Sequence, residues 1–169
     1  MNENDTAYRI FVSYIDKSRE YYAAQGFERP YRWASHSGAP FAPLPKPLDR
    51  CRIGVVTTAM LMDGRESQPA LDRPKKVAYG AASAPTPAGM FTEDLAWDKE
   101  ATHTRDVGSF LPLDRLAECA AAGRIGSVSP RFYGAPTEYS QRQTREHDAP
   151  AILAMCREDG VDAVLLVGL

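Results

Sequence analysis

Apolar residues recur at helical spacing in three stretches of the chain, and they gather without alternation in two others. From Tyr8 to Ala24, Ile10, Phe11, Tyr14 and Ile15 interleave with Asp16, Lys17, Arg19 and Glu20, and Gly26 stands where a helix stop belongs; the pattern predicts an amphipathic helix. In Phe110 to Pro136, Pro112 suits a first helical turn because its missing N–H is not needed there. Leu113, Leu116 and Ala120 form one apolar stripe, and Gly123 closes the helix. Ala149 to Glu158 repeats the design, with Pro150 near its start, Ile152, Leu153 and Cys156 on one face and Gly160 beyond its end. The two unalternating runs, Arg52 to Ala59 and Val161 to Val167, are short and β-branched, as strands buried on both faces of a parallel sheet are.

Helix, glycine and buried strand in succession is the order of a parallel α/β unit. The expected fold is an α/β, parallel-sheet, three-layer (Rossmann/flavodoxin-like) domain over 51–169, with an irregular insertion at 63–109, preceded by a helix and strap over 1–50. Pro30 to Pro47 carries five prolines, which disfavour helix and central strand and predict an extended strap anchored by Trp33 and Phe41. Asp63 to Gly89 has no periodic face and reads as a long irregular loop. Gly126 to Gly134 reads as a shaped loop with Arg131, Phe132 and Tyr133 at its tip, a candidate site edge. Thr137 to Asp148 is polar enough for an exposed turn or helix start. Nothing follows the Val161–Val167 run but Gly168 and Leu169, so the expectation is either a truncated sequence or a sheet completed by a partner chain, the latter being favoured.

Composition narrows the classes. At 169 residues with 20 basic and 22 acidic side chains, the chain is long enough for one full core and lacks the basic excess that nucleic acid or an anionic membrane selects. The polar N-terminus lacks the basic-then-apolar order of a secretory signal, and no apolar run reaches spanning length, so a cytoplasmic location is expected. Cys51, Cys119 and Cys156 are odd in number and far apart; buried reduced thiols are expected rather than a disulfide framework or zinc site.

Ligands of open parallel sheets bind beyond the carboxyl ends of strands, which puts Thr57 and Thr58 where a site would lie, although two threonines closing a strand explain the pattern too. Phe91 to Ser109 concentrates Glu93, Asp94, Asp98, Glu100, His103 and Asp106. A histidine beside carboxylates suits acid–base work or a divalent metal. The Asp98, His103, Asp106 spacing matches no metal motif, and a solvated, salt-bridged loop is the plainer alternative.

Five segments carry a resemblance: YYAAQGFERPYRWA, PFAPLPKPL leading into RIGVVTTA, LAWDKEATHTRDVGSFLPLDRL, GRIGSVSPRFYGAP and REDGVDAVLLVGL. In this order, from Tyr21 to the end, the chain resembles the glycine/sarcosine/betaine reductase selenoprotein B family, with its D-proline reductase relatives. The resemblance implies an α/β protein of reductases that cleave an activated bond next to a carboxylate with a selenol or thiol. In that family the redox residue follows the strand resembling Val161–Val167, so none of the three cysteines here takes that role. What is then expected is one subunit of a thiol- or selenol-dependent, reductase-like hetero-oligomer acting on a small carboxylate, a second subunit supplying the cysteine motif. His103, with Asp98 or Asp106, would supply the leaving-group proton. Thr57, Thr58, Arg131 and Tyr133 would bind substrate, Arg131 through the bidentate fork that carboxylates favour. No cofactor is specified. A non-catalytic scaffold subunit and a metal-dependent lyase or hydrolase half-site are the alternatives.

Overall fold

The computed structural model describes residues 14–27, 37–38, 42–64, 76–92, 103–137 and 140–168. The chain divides into two compact units, Met1–Pro40 and Phe41–Leu169. In the first, α1 spans Tyr14–Ala24. Gly26 takes φ 85°, and the Phe27 N–H reaches back to the Tyr22 carbonyl at 3.1 Å, so the helix ends through the left-handed residue expected of it. The first part of the predicted helix, 8–13, and the strap anchors Trp33 and Phe41 lie outside the described residues.

The second unit is mixed α/β with a mostly parallel sheet. Its strands are β1 (Arg52–Thr57), β3 (Tyr79–Ala82), β5 (Ser127–Val128), β6 (Arg131–Gly134) and β7 (Ala163–Val167). A separate antiparallel pair joins β2 (Met60–Leu61) to β4 (Met90–Phe91). β1 is central. β7 runs parallel along one side of it from Ile53↔Ala163 to Thr57↔Val167, which leaves the other side to β5 and β6. Those two are one interrupted strand: the register moves from Ile53↔Val128 to Val56↔Tyr133, so a bulge lies between them and Pro130 sits in it. The segment 126–134, expected as a loop, is therefore sheet, and Phe132 and Tyr133 are sealed in the core. β3, within the stretch expected to be irregular, pairs antiparallel with β6.

Two helices fit their sequence signals closely. α2 spans Leu113–Ala121 with Pro112 before it and Gly123 at φ 68° after it. α4 spans Ala149–Glu158 with Pro150 in its first turn and Gly160 at φ 63° beyond it. A short α3 (Gln141–Gln143), capped by the Ser140 side chain, and a π-helical turn over Thr144–Asp148 lead into α4. Alternation along β1 and β6 divides the core. Val55 and Phe132 pack with Phe110, Leu111 and Leu113, while Val56 and Tyr133 pack with Cys156, Ile152 and Met155. Cys51, Ile53 and Ile125 form a further cluster that receives Leu116, Cys119 and Ala120 of α2.

β7 departs from expectation. Its sequence predicts a strand buried on both faces, yet Leu165 is 43% exposed and Leu166 77%. Alternation assigns Val164 and Leu166 to the face shared with Val56, and Leu165 to the face shared with Val55. Apolar side chains are thus exposed on both faces of this strand. The three cysteines are free thiols, Cys51 and Cys156 buried and Cys119 partly so. No helix among the described residues is long and apolar enough to cross a membrane.

Candidate functional site

Parallel pairing brings strand ends level. Thr57 is in register with Gly134 of β6 and with Val167 of β7, so three carboxyl ends meet at one rim. In the rim Thr57 is buried, and its Oγ1 accepts from the Ala59 N–H at 3.2 Å, closing a tight turn. The Thr57 carbonyl accepts from the Ala135 N–H at 2.8 Å, so the chain leaving β6 stays tied to β1. Between two buried neighbours, Thr58 is half-buried. Tyr79 of β3 crosses over Gly134 and donates its hydroxyl to the Ala59 carbonyl at 2.7 Å. Only glycine fits beneath that ring, because a Cβ on Gly134 would overlap it. Lys76 adds a cationic group here, its Nζ donating to the Thr137 carbonyl at 2.7 Å.

His103 and Asp106 are exposed. The Arg105 N–H approaches His103 Nδ1 at 3.4 Å, and the Asp106 carbonyl accepts from the Ser109 hydroxyl at 2.7 Å. Val107, the next residue, is buried in the cluster that holds Ala59 and Met90, which tethers this segment close to the β1 exit. Asp98 lies outside the described residues. Among those described, no group of three His, Cys, Asp or Glu side chains could hold a metal ion.

Arg131 and Tyr133 are placed elsewhere. The Tyr133 ring runs back along the sheet over Gly54, where an added Cβ would lie 3.2 Å from Cε2. Its hydroxyl donates to Asp159 Oδ2 at 2.7 Å and meets Ser129 Oγ at 3.0 Å. Arg131 spans the same carboxylate with Nε to Oδ2 at 2.8 Å and Nη2 to Oδ1 at 3.0 Å, and reaches Glu158 at 2.9 Å. Arg52 completes the arrangement: its guanidinium donates to the Asp159 carbonyl, and its backbone N–H donates to Asp162 Oδ2 at 2.7 Å. Lys46 pairs with that same Asp162 oxygen at 2.8 Å. The turn between α4 and β7 is thereby pinned to the amino ends of β1 and β6.

The charge logic follows from these contacts. Arg131, and then the Tyr133 hydroxyl, hold the Asp159 carboxyl below the ordinary range against the opposing effect of burial. Lys46 first, then the Arg52 N–H, lower Asp162. Burial raises the Tyr133 phenol and the Cys156 thiol beside it, so Cys156 is held as a neutral thiol rather than as a nucleophile.

The candidate residues therefore fall into two places. Thr57, Thr58 and the His103–Asp106 segment belong to the carboxyl-end rim, while Arg131 and Tyr133 belong to an amino-end network whose carboxylate is the chain's own Asp159. Sequence reasoning missed Tyr79, Gly134 and Asp159. Asp159 had a signal in the acidic pair Glu158-Asp159 closing a helix before Gly160; Tyr79, in Val-Ala-Tyr-Gly-Ala-Ala, had none beyond being an aromatic among small residues.

Fold and rim together define a mixed α/β chain with a mostly parallel sheet, a carboxyl-end rim and a strand, β7, whose apolar side chains are exposed. Comparison with known protein families, curated proteins and solved structures gave no match.

Proposed function

We propose that this chain is one subunit of a thiol- or selenol-dependent, reductase-like complex acting on a small carboxylate-bearing substrate, its redox residue supplied by a second subunit. The observation that carries the proposal is β7. Its apolar side chains are exposed on both faces, and its carboxyl end is level with Thr57 and Gly134. A strand added in parallel beyond β7 would extend the sheet and deliver its own carboxyl-end loop to the same rim, and helices flanking it would cover the exposed side chains on both faces. The added elements would complete a three-layer, Rossmann-like arrangement in a cytoplasmic hetero-oligomer. The resemblance to the selenoprotein B family supplies the chemistry: the partner's thiolate or selenolate is the nucleophile that bonds to the substrate carbon as the leaving group departs.

In this reading Thr57 and Thr58 border the substrate, and His103, with Asp106 or Asp98, supplies the proton that the leaving group takes up. Arg131 and Tyr133 do not face this rim; they are engaged with Asp159 and, for Arg131, Glu158 at the amino end of the sheet. Their pairing within the chain favours a second reading, a non-catalytic scaffold subunit. Affinity purification of the tagged chain from its native host, followed by mass spectrometry and assay for thiol-dependent reductive cleavage, tests both. A stoichiometric partner with a cysteine motif and an active complex are expected. A partner without activity supports the scaffold, and a chain recovered alone as a monodisperse monomer sinks the split site.

A further inference from the structure

Ala59 is fully buried, so its carbonyl needs a donor that water cannot supply there. The donor is the Tyr79 hydroxyl, at 2.7 Å. Tyr79 is the Cα partner of Gly134, and Gly134 is the Cα partner of Thr57, so the three lie in one row across β3, β6 and β1. The ring passes over the glycine and reaches the turn on the far side. Phe132 meets it edge-on, with ring centroids 6.2 Å apart and planes at 85°, which fixes its tilt. The other half of the turn is held by Thr57 Oγ1 on the Ala59 N–H. Ala59 is thus gripped through both its N–H and its carbonyl, and half-buried Thr58 lies in the turn between Thr57 and Ala59.

We propose that Tyr79 is a positioning residue of the rim, holding the Thr57–Ala59 turn across Gly134 so that Thr58 is presented to a small carboxylate ligand in one fixed geometry. The role in ligand presentation rests on the reading of the rim given above. Burial raises the Tyr79 phenol far above its ordinary value, so the hydroxyl remains a donor throughout the physiological range.

Backbone 15N relaxation and glycine betaine titration of the full chain test this. Tyr79→Phe keeps the ring over Gly134 and removes only the donor; the order parameters of Thr58 and Ala59 are expected to fall from the rigid range near ~0.85 toward ~0.6, with β1 and β7 unchanged. Betaine should shift the Thr58 amide in the wild-type chain, with an apparent Kd at least about fivefold weaker in the variant, a loss of about 1 kcal/mol. Gly134→Ala, which displaces the ring without touching Tyr79, should loosen the same turn. An unchanged turn in both variants overturns the proposal, as does a loosened turn with unaltered betaine affinity. A loosened turn combined with a wild-type chain that does not respond to betaine supports the Tyr79 clasp and overturns the ligand reading of the rim.

Discussion

β1 and β7 lie side by side over five paired residues and carry similar apolar side chains, yet Val55 is sealed from solvent while Leu166 is 77% exposed. The difference is one of neighbours. β1 has β7 on one side, the interrupted strand β5/β6 on the other, and packed side chains on both faces. β7 has only β1. A second contrast lies along the sheet: its amino end is tied by Arg131, Asp159, Arg52, Asp162 and Lys46, whereas the carboxyl-end rim is held by a few single hydrogen bonds around Ala59. The exposed large apolar side chains of this sheet lie on β7, outside both sets of contacts.

The sharpest test of that contrast is in the core. Phe132 is fully buried against Val55, Leu113 and Tyr79, so Phe132→Ala should cost roughly 3–5 kcal/mol through lost transfer energy and a cavity. A urea midpoint shift of that size, with unchanged m, is expected. A cost below about 1 kcal/mol would mean that the cluster around β1 is not the closed core described.

The amino-end network comes next. Tyr133→Phe keeps the ring over Gly54 and removes the donor to Asp159, a hydrogen bond to a charged group worth about 1.5–3 kcal/mol. Urea unfolding reads it, and Asp159→Asn combined with it in a double-mutant cycle should show that the two losses are not additive. The network also predicts a pH dependence. Asp159 and Asp162 have folded-state values depressed below their unfolded ones, so their contribution is fully present above the unfolded carboxylate range, about 3.9, and is lost as pH falls through the folded values. Stability should be level from neutrality to about pH 5 and fall below about pH 4, and Asp159→Asn should flatten that fall. An unchanged acid slope in Asp159→Asn would remove Asp159 from the account.

These contrasts also explain what could be read from residues alone. β1, α2 and α4 were legible because an unalternating apolar run, or a stripe between a proline and a glycine, has one local explanation. β6 was not. Pro130 and Gly134 are loop signals taken singly, but Pro130 occupies a bulge where its missing N–H costs nothing, and Gly134 is required by a ring from β3, 55 positions earlier in the chain. Tyr79-Gly-Ala-Ala has too little apolar character to announce a strand and becomes one only because β6 offers it an edge. Arg131 was legible as a carboxylate binder by type, but not that Asp159 would be the carboxylate. The rim position of Thr57 and Thr58 was legible because strand ends follow directly from the strand assignment.

The smallest expected effect bears most directly on the comparison between the strands. Leu166→Ala removes apolar carbons as a core substitution does, but from a side chain already in water, so in the isolated chain it should change stability by no more than about 0.5 kcal/mol. The same substitution at Val55 or Phe132 would fall in the range for cavity formation. A cost of about 2 kcal/mol or more at Leu166, measured at several protein concentrations, would show that something covers β7: a concentration-dependent cost identifies a second copy of the chain, and a concentration-independent one identifies cover from within it. Leu166→Lys sharpens the point further. A charge on this edge should be tolerated by the chain alone while weakening capture of any partner strand, since edge lysines oppose strand addition. Loss of the co-purified partner without loss of the fold would assign the apolar character of β7 to docking rather than to folding.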